Sequence, residues 1–133
     1  MNRKAGRTLA REIGAAMMAG LFMADSAVFA AAPIMPDAGA PASRHPLVQE
    51  TANGIPLVHI AAPSASGVSR NDYDRFNVPE KGAILNNSYT LSKTELAGYV
   101  QGTPNMDKRP ARIIVNQVTG RSATALHGLL DVA

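Results

Sequence analysis

From Leu47 to the C-terminus no apolar run is longer than a few residues, and each is closed by a cluster of Gly, Pro, Asn, Asp or Ser. An amphipathic helix needs ten or more residues of sustained 3.6-residue periodicity, so this punctuation leaves helices no room and makes the class all-β. The expected strands are residues 55–60 (IPLVHI), 73–78 (YDRFNV), 83–85 (AIL), 89–91 (YTL), 98–101 (GYVQ), 112–118 (RIIVNQV) and 126–132 (LHGLLDV). Turn signals separate them at Asn53-Gly54, Ala62-Pro63-Ser64, Lys81-Gly82, Asn86-Asn87-Ser88, Gly102-Thr103-Pro104-Asn105 and Thr119-Gly120. Only residues 92–96 (SKTEL) offer a helical turn, with Ser92 as cap and Glu95 three residues on.

Short strands at this spacing fit a sandwich, a barrel or a solenoid of stacked coils. Two features lean toward the solenoid. Ile113-Ile114-Val115 and Leu129-Leu130 lack strict alternation, as in strands covered on both faces, and Asn recurs in or beside strands at positions 77, 86, 87 and 116. At an inward bend an Asn amide can bond the backbone of a neighbouring coil, whereas in a sandwich the same residue more often occupies a turn.

The start of the chain has a different texture. Arg3, Lys4, Arg7 and Arg11 precede an apolar stretch at residues 13–24, and small side chains follow at Ala27, Val28 and Ala30. This order is that of a secretory signal peptide over residues 1–30, cut by signal peptidase after Ala30 or, nearly as well, after Ala31. The apolar stretch falls short of the roughly 20 residues a membrane-spanning helix needs. It also accounts for the basic balance: the whole chain has 13 Lys+Arg against 10 Asp+Glu, but past residue 30 only nine remain against eight. A general nucleic-acid-binding surface is therefore not expected. There is no Cys, which excludes a disulfide scaffold and a thiolate metal site. Residues 31–46, with prolines at 33, 36, 41 and 46 and no period of either kind, read as a flexible extended segment outside any core.

Candidate chemistry is sparse. His45, His59 and His127 show no metal-ligand spacing, and a Ser66/His59/Asp72 triad lacks the Gly-x-Ser-x-Gly elbow. Asp72, Asp74 and nearby Glu80 lack the spacing of a calcium loop and read as a solvated strand edge paired with Arg70 and Arg75. The basic group from Lys108 to Arg112 has no interleaved aromatics and reads as a solvated turn, or as a surface steering the chain toward acidic partners. No enzyme and no cofactor is expected.

The blocks 54–78 (GIPLVHIAAPSASGVSRNDYDRFNV), 82–88 (GAILNNS), 98–102 (GYVQG), 111–118 (ARIIVNQV) and 126–133 (LHGLLDVA) resemble, in order, the N-terminal secretion domain of two-partner-secretion exoproteins, the filamentous-haemagglutinin and contact-dependent-inhibition toxin group. The resemblance covers residues 47–133. It implies a right-handed parallel β-helix with a capped N-terminal end, recognised in the periplasm by an outer-membrane β-barrel translocator, without catalysis. It also implies export through the inner membrane and periplasm to the surface or exterior of a Gram-negative-type envelope. The family's Asn-Pro-Asn-Leu motif corresponds here to Thr103, Pro104, Asn105 and Met106, and its Ser-His-Asn to Ser69, Arg70 and Asn71. Thr in place of the first Asn puts the turn geometry in question. The residues expected to carry translocator recognition are Asn71, Asn77, Asn86, Asn87 and the turn Thr103, Pro104, Asn105, Met106. Family members continue far beyond the point where this sequence stops, through a second motif, Asn-Pro-Asn-Gly-Ile, so a fragment or a truncated copy is expected, with contacts to host or neighbouring cells lying downstream. A second reading is a standalone carbohydrate- or surface-binding module, which would need exposed aromatics from among Tyr73, Phe76, Tyr89 and Tyr99.

Overall fold

The computed structural model describes residues 32–105 and 109–133. The signal-peptide reading, with its cleavage at Ala30 or Ala31, and Met106 lie outside the described residues.

Nine strands form: β1 (Ile34–Pro36), β2 (Leu47–Glu50), β3 (Pro56–His59), β4 (Val68–Phe76), β5 (Ala83–Asn86), β6 (Ser92–Thr94), β7 (Gly98–Val100), β8 (Ile113–Val118) and β9 (Leu130–Val132), with one 3-10 turn at Ala42–Arg44. They make two main sheets, β1-β4-β8 and β2-β3-β5-β9, and the small hairpin β6-β7. Past β2 the chain alternates between the main sheets, and each return lands parallel to the previous visit: β3 beside β5, β4 beside β8, β5 beside β9. A third line of stacking joins Val78 to Leu126 by a parallel bridge. This is winding by successive coils, the arrangement a parallel β-helix requires. At the N-terminal end β1 and β2 run antiparallel to β4 and β3 and cover the first coil.

Apolar runs without alternation occur where strands are covered twice. Val58 and Leu85 are opposite each other in the β3–β5 ladder and face the larger core with Ile60, Tyr73, Phe76 and Val78. Their neighbours Leu57 and Ile84, also opposite each other, face a second cluster with Ile55 and Val100, over which Leu96 and Ala97 of the β6–β7 connection pack. One sheet thus separates two apolar layers, so both phases of its strands must be apolar. The coils approach closely where Gly128 passes the backbone of residues 79–82; a side chain there would strike the carbonyl oxygens of Pro79 and Glu80.

Several expectations are corrected. The segment 31–46 is not outside the core: Ile34 is 2% exposed, stands opposite Phe76 in the β1–β4 ladder, and packs into the larger core, while Pro46 is fully buried. Prolines flank or end strand β1 at the sheet edge, where a missing N–H costs no ladder bond. β8 is not covered twice. Its residues alternate, with Ile113 at 56% and Val115 at 38% exposure against the inward Ile114 and Val118, because only one of its faces meets the core. Residues 89–91 form no strand, and residues 92–96 form β6 and a turn instead of a helix. The Ser92 hydroxyl donates to Ser88 Oγ and caps nothing, while Thr94 Oγ1 donates to the Gly98 carbonyl and accepts the Ala97 N–H. Strand β4 begins at Val68, five residues before the expected start, and the strand expected over 126–132 shrinks to Leu130–Val132.

Candidate functional site

The residues singled out in the sequence form a set of backbone clamps. Asn71 is fully buried on β4; its Oδ1 accepts the Ala61 N–H at 2.7 Å, and its Nδ2 donates to Ser69 Oγ, whose own hydroxyl donates to the Ala61 carbonyl. Together Ser69 and Asn71 satisfy both backbone groups of Ala61 as the chain leaves β3. Arg70, between them, points the opposite way and donates to Gln117 Oε1 at 3.3 Å, so the departure from Ser-His-Asn falls on the outward position of a pleated strand. Asn77 Oδ1 accepts the Ala125 N–H, 48 residues away. Asn87 binds both backbone groups of Ala111, accepting its N–H at 2.7 Å and donating to its carbonyl at 3.0 Å.

Asn86 is the hub. It is fully buried at the end of β5; its Nδ2 donates to the Gln101 carbonyl at 2.8 Å and to His59 Nδ1 at 3.2 Å, and its Oδ1 accepts the Ser88 N–H. His59, 4% exposed, meets Gln49 Oε1 through Nε2 at 2.8 Å. Gln49 offers an oxygen and Asn86 an N–H, so His59 is neutral with its proton on Nε2. Burial pushes its pKa below the ordinary 6.5. The folded chain therefore resists a protonation that the unfolded chain accepts. Stability held above pH 6.5 is expected to be lost as the pH falls below 6.5 toward the depressed folded value, and His59→Phe should flatten that part of the profile, measured as urea midpoints between about pH 7.5 and 5.

The turn that follows β7 is held without the Asn of the family motif. Thr103 is buried, donates its N–H to the Ser88 carbonyl at 2.7 Å, and accepts the Asn105 N–H on Oγ1 at 3.3 Å. The threonine hydroxyl reproduces the i to i+2 acceptor an Asn would supply, which settles the geometry left in question. Asn105 in turn donates to the carbonyls of His59 and Ile60 at 3.3 Å, tying the turn to β3, and Pro104 is exposed. Beside these residues a cleft of about 660 Å³ is bordered by Gln49, Leu57, His59, Tyr99, Gln101 and Pro104.

Of the acidic cluster, Asp74 and Glu80 are exposed as a solvated edge requires, and Asp72 departs from that expectation. Asp72 is buried and pairs with Arg44 Nε at 3.5 Å, not with Arg70 or Arg75, and its Oδ1 has no partner among the described residues. Of the aromatics a sugar-binding face would require, Tyr73 and Phe76 are core residues, leaving Tyr89 at 48% and Tyr99 at 69% exposure. What the sequence could not show was the partners: His59, Ala61, Ala111 and Ala125 carry no signal of their own, because an Asn meets them only once the coil length is set by the whole winding.

A family model described as the TPS secretion domain matches residues 32–133. The toxin CdiA of Yersinia pestis is 41% identical over 104 residues, which is 78% of this chain and 3% of that protein. The hemolysin of Serratia marcescens is 41% identical over 87 residues, 65% of this chain and 5% of that protein. Among solved structures, the filamentous hemagglutinin secretion domain superposes with a TM-score of 0.63 at 31% identity, covering 74% of this chain and 31% of the other. The chain thus spans only a small fraction of the length of the relatives it matches.

Proposed function

Because the chain belongs to the TPS secretion domain family, we propose that it is the secretion address of a large exported exoprotein, read in the periplasm by a cognate outer-membrane β-barrel translocator. In this reading it performs no catalysis and takes no cofactor; signal peptidase releases it, and adhesive or toxic contacts with host or neighbouring cells belong to regions downstream of residue 133. The exoprotein ends at the surface or exterior of a Gram-negative envelope.

The observation that carries the proposal is the match of the secretion-domain family over residues 32–133, and the N-terminal strands show what such a segment offers for pairing. β1 and β2 are the N-terminal edge strands of their sheets, and each has one row of backbone N–H and C=O groups without a strand partner among the described residues. An extended segment of a periplasmic module can add to such an edge through main-chain hydrogen bonds. The chain crosses the periplasm largely unfolded, its N-terminal strands pair with the translocator, and coil formation outside biases transport outward. Asn71 and Asn86 have no accessible surface once the coils close, so any contact they make with the translocator precedes folding. The same applies in part to Asn77, Asn87, Thr103 and Asn105, which hold backbone groups in the folded state, whereas Pro104 stays exposed, and Met106 completes the proposed recognition turn.

Calorimetric titration of the chain into the periplasmic modules of its cognate translocator is expected to show saturable binding at tens of micromolar, roughly the range of transient recognition. Absence of heat and of any shift in module spectra at that concentration would reject the proposal.

A further inference from the structure

The loop at residues 62–67, between β3 and β4, is flanked by arginines on both sides. On one side lies a cavity of about 520 Å³ whose lining includes Ser64, Ser66, Gly67, Arg109, Pro110 and Arg112. On the other, a cavity of about 410 Å³ includes Ser43, Arg44, Ser64 and Arg70. No carboxylate among the described residues lines either one. Arg44 is engaged by Asp72 and Arg70 by Gln117. Arg109 and Arg112 make no ion pair or side-chain hydrogen bond among the described residues, and both line the first cavity.

The loop and Arg112 are held in place. Gly67 has φ +83° and receives the Arg112 N–H on its carbonyl at 2.7 Å. The stem of Arg112 lies across the bare Cα of Gly67: a Cβ there would stand 3.0 Å from both Cγ and Cδ. Glycine therefore makes the groove in which this arginine rests. The loop is closed by Gly67 N–H to the Ser64 carbonyl and by Ser64 N–H to the Val68 carbonyl, and the Ser64 and Ser66 hydroxyls meet at 2.9 Å on the cavity wall. Two guanidinium forks and two hydroxyls, with no aromatic ring among the lining residues, suit a tetrahedral oxyanion and not a neutral sugar. The volume is that of a small-molecule pocket.

We propose that Arg109, Arg112, Ser64 and Ser66 form a binding site for a phosphate ester, carried either by a soluble sugar phosphate or by a lipid headgroup. This goes beyond the secretion-address reading and does not depend on it.

The test titrates the full 133-residue chain with glucose 1-phosphate at low ionic strength, with glucose as control. Saturable binding of the ester alone is expected. Arg112→Gln should weaken it about tenfold or more, and Arg112→Lys should weaken it less, because the charge stays while the fork is lost. Arg121→Gln, on an exposed turn outside the cavity, should leave it unchanged. Each variant is first shown to melt like the parent, so that a lost site is not a lost fold. Co-sedimentation with phosphatidylcholine vesicles, with and without phosphatidic acid, separates the two sources: dependence on phosphatidic acid that Arg112→Gln removes assigns the headgroup, and binding of the dissolved ester alone assigns the soluble form. No saturation below about 10 mM ester together with no vesicle binding overturns the proposal. So does equal binding by Arg112→Gln, or capture of an acidic peptide while both phosphate forms are ignored, which would assign the surface to a protein partner.

Discussion

Tyr73→Ala is expected to remove about 3–5 kcal/mol of folding stability, a large part of the roughly 5–15 kcal/mol available to a domain of this size. Tyr73 is fully buried at the middle of the larger core, and its ring packs against Phe76 at a centroid distance of 4.8 Å and a tilt of 60°. It stands opposite Val118 in the β4–β8 ladder, so its loss opens a cavity where the second coil lies against the first. Tyr73→Phe separates the ring from the hydroxyl. That hydroxyl donates to Asn116 Oδ1 at 3.3 Å, and its removal should cost only about 0.5–1.5 kcal/mol. Burial also raises the Tyr73 pKa above the ordinary 10.0, so the folded state holds the phenol neutral. The unfolded chain releases that proton first, so stability should fall as the pH rises past 10.0, and Tyr73→Phe should remove this part of the alkaline loss. Urea unfolding followed by circular dichroism measures all three effects. A Tyr73→Ala loss no larger than that of Tyr73→Phe would mean that the ring does not anchor the coils.

The sequence announces its strands where burial on both faces makes consecutive residues apolar, as in Pro56 to Val58 of β3 and Ala83 to Leu85 of β5, and hides them where the coil turns polar side chains inward. The first half of β4 was missed for that reason: Ser69 and Asn71 point to the interior, and their role is to bond Ala61, not to pack. β1 was missed because proline normally argues against a strand, a rule that weakens at a sheet edge. β8 was placed correctly but its apolar run misled about coverage; Ile113 and Val115 face outward although their side chains would suit a core. The recurring asparagines were the legible part of the candidate site. Read as coil clamps or as turn residues, they bond backbone as far away as Ala111 and Ala125, which a local turn could not do. Their partners stayed illegible because backbone groups have no residue type. Thr103 shows the same limit from the other side: its identity departs from the motif, yet its hydroxyl oxygen reaches the same N–H.

Asn86→Leu should cost about 3 kcal/mol or more, although leucine has the same branched skeleton as asparagine and is more apolar. The reason is what it leaves behind: the Gln101 carbonyl, the Ser88 N–H and His59 Nδ1 all lose the same partner, the fully buried Asn86, with His59 itself buried and Ser88 half-buried. Each orphaned buried group costs about 1–3 kcal/mol. Asn77→Ala, which frees one N–H at a half-buried position, should cost about 1 kcal/mol and sets the scale for a single clamp. Asn86→Asp tests the protonation logic as well as the hydrogen bonds. A carboxylate at this position repels the Gln101 carbonyl but welcomes a proton on His59 Nδ1, while Nε2 keeps its bond to Gln49. The His59 pKa would then be raised by its new partner instead of lowered by burial. By the same linkage the sign of the profile reverses: the stabilisation is present at low pH and lost as the pH rises through the folded pKa. The variant should thus gain stability between about pH 7.5 and 5.5, where the parent loses it. Parallel profiles for the two proteins would show that His59 and Asn86 do not share a proton-sensitive bond, and would remove the link between the first coil and the second from the account of how this domain closes.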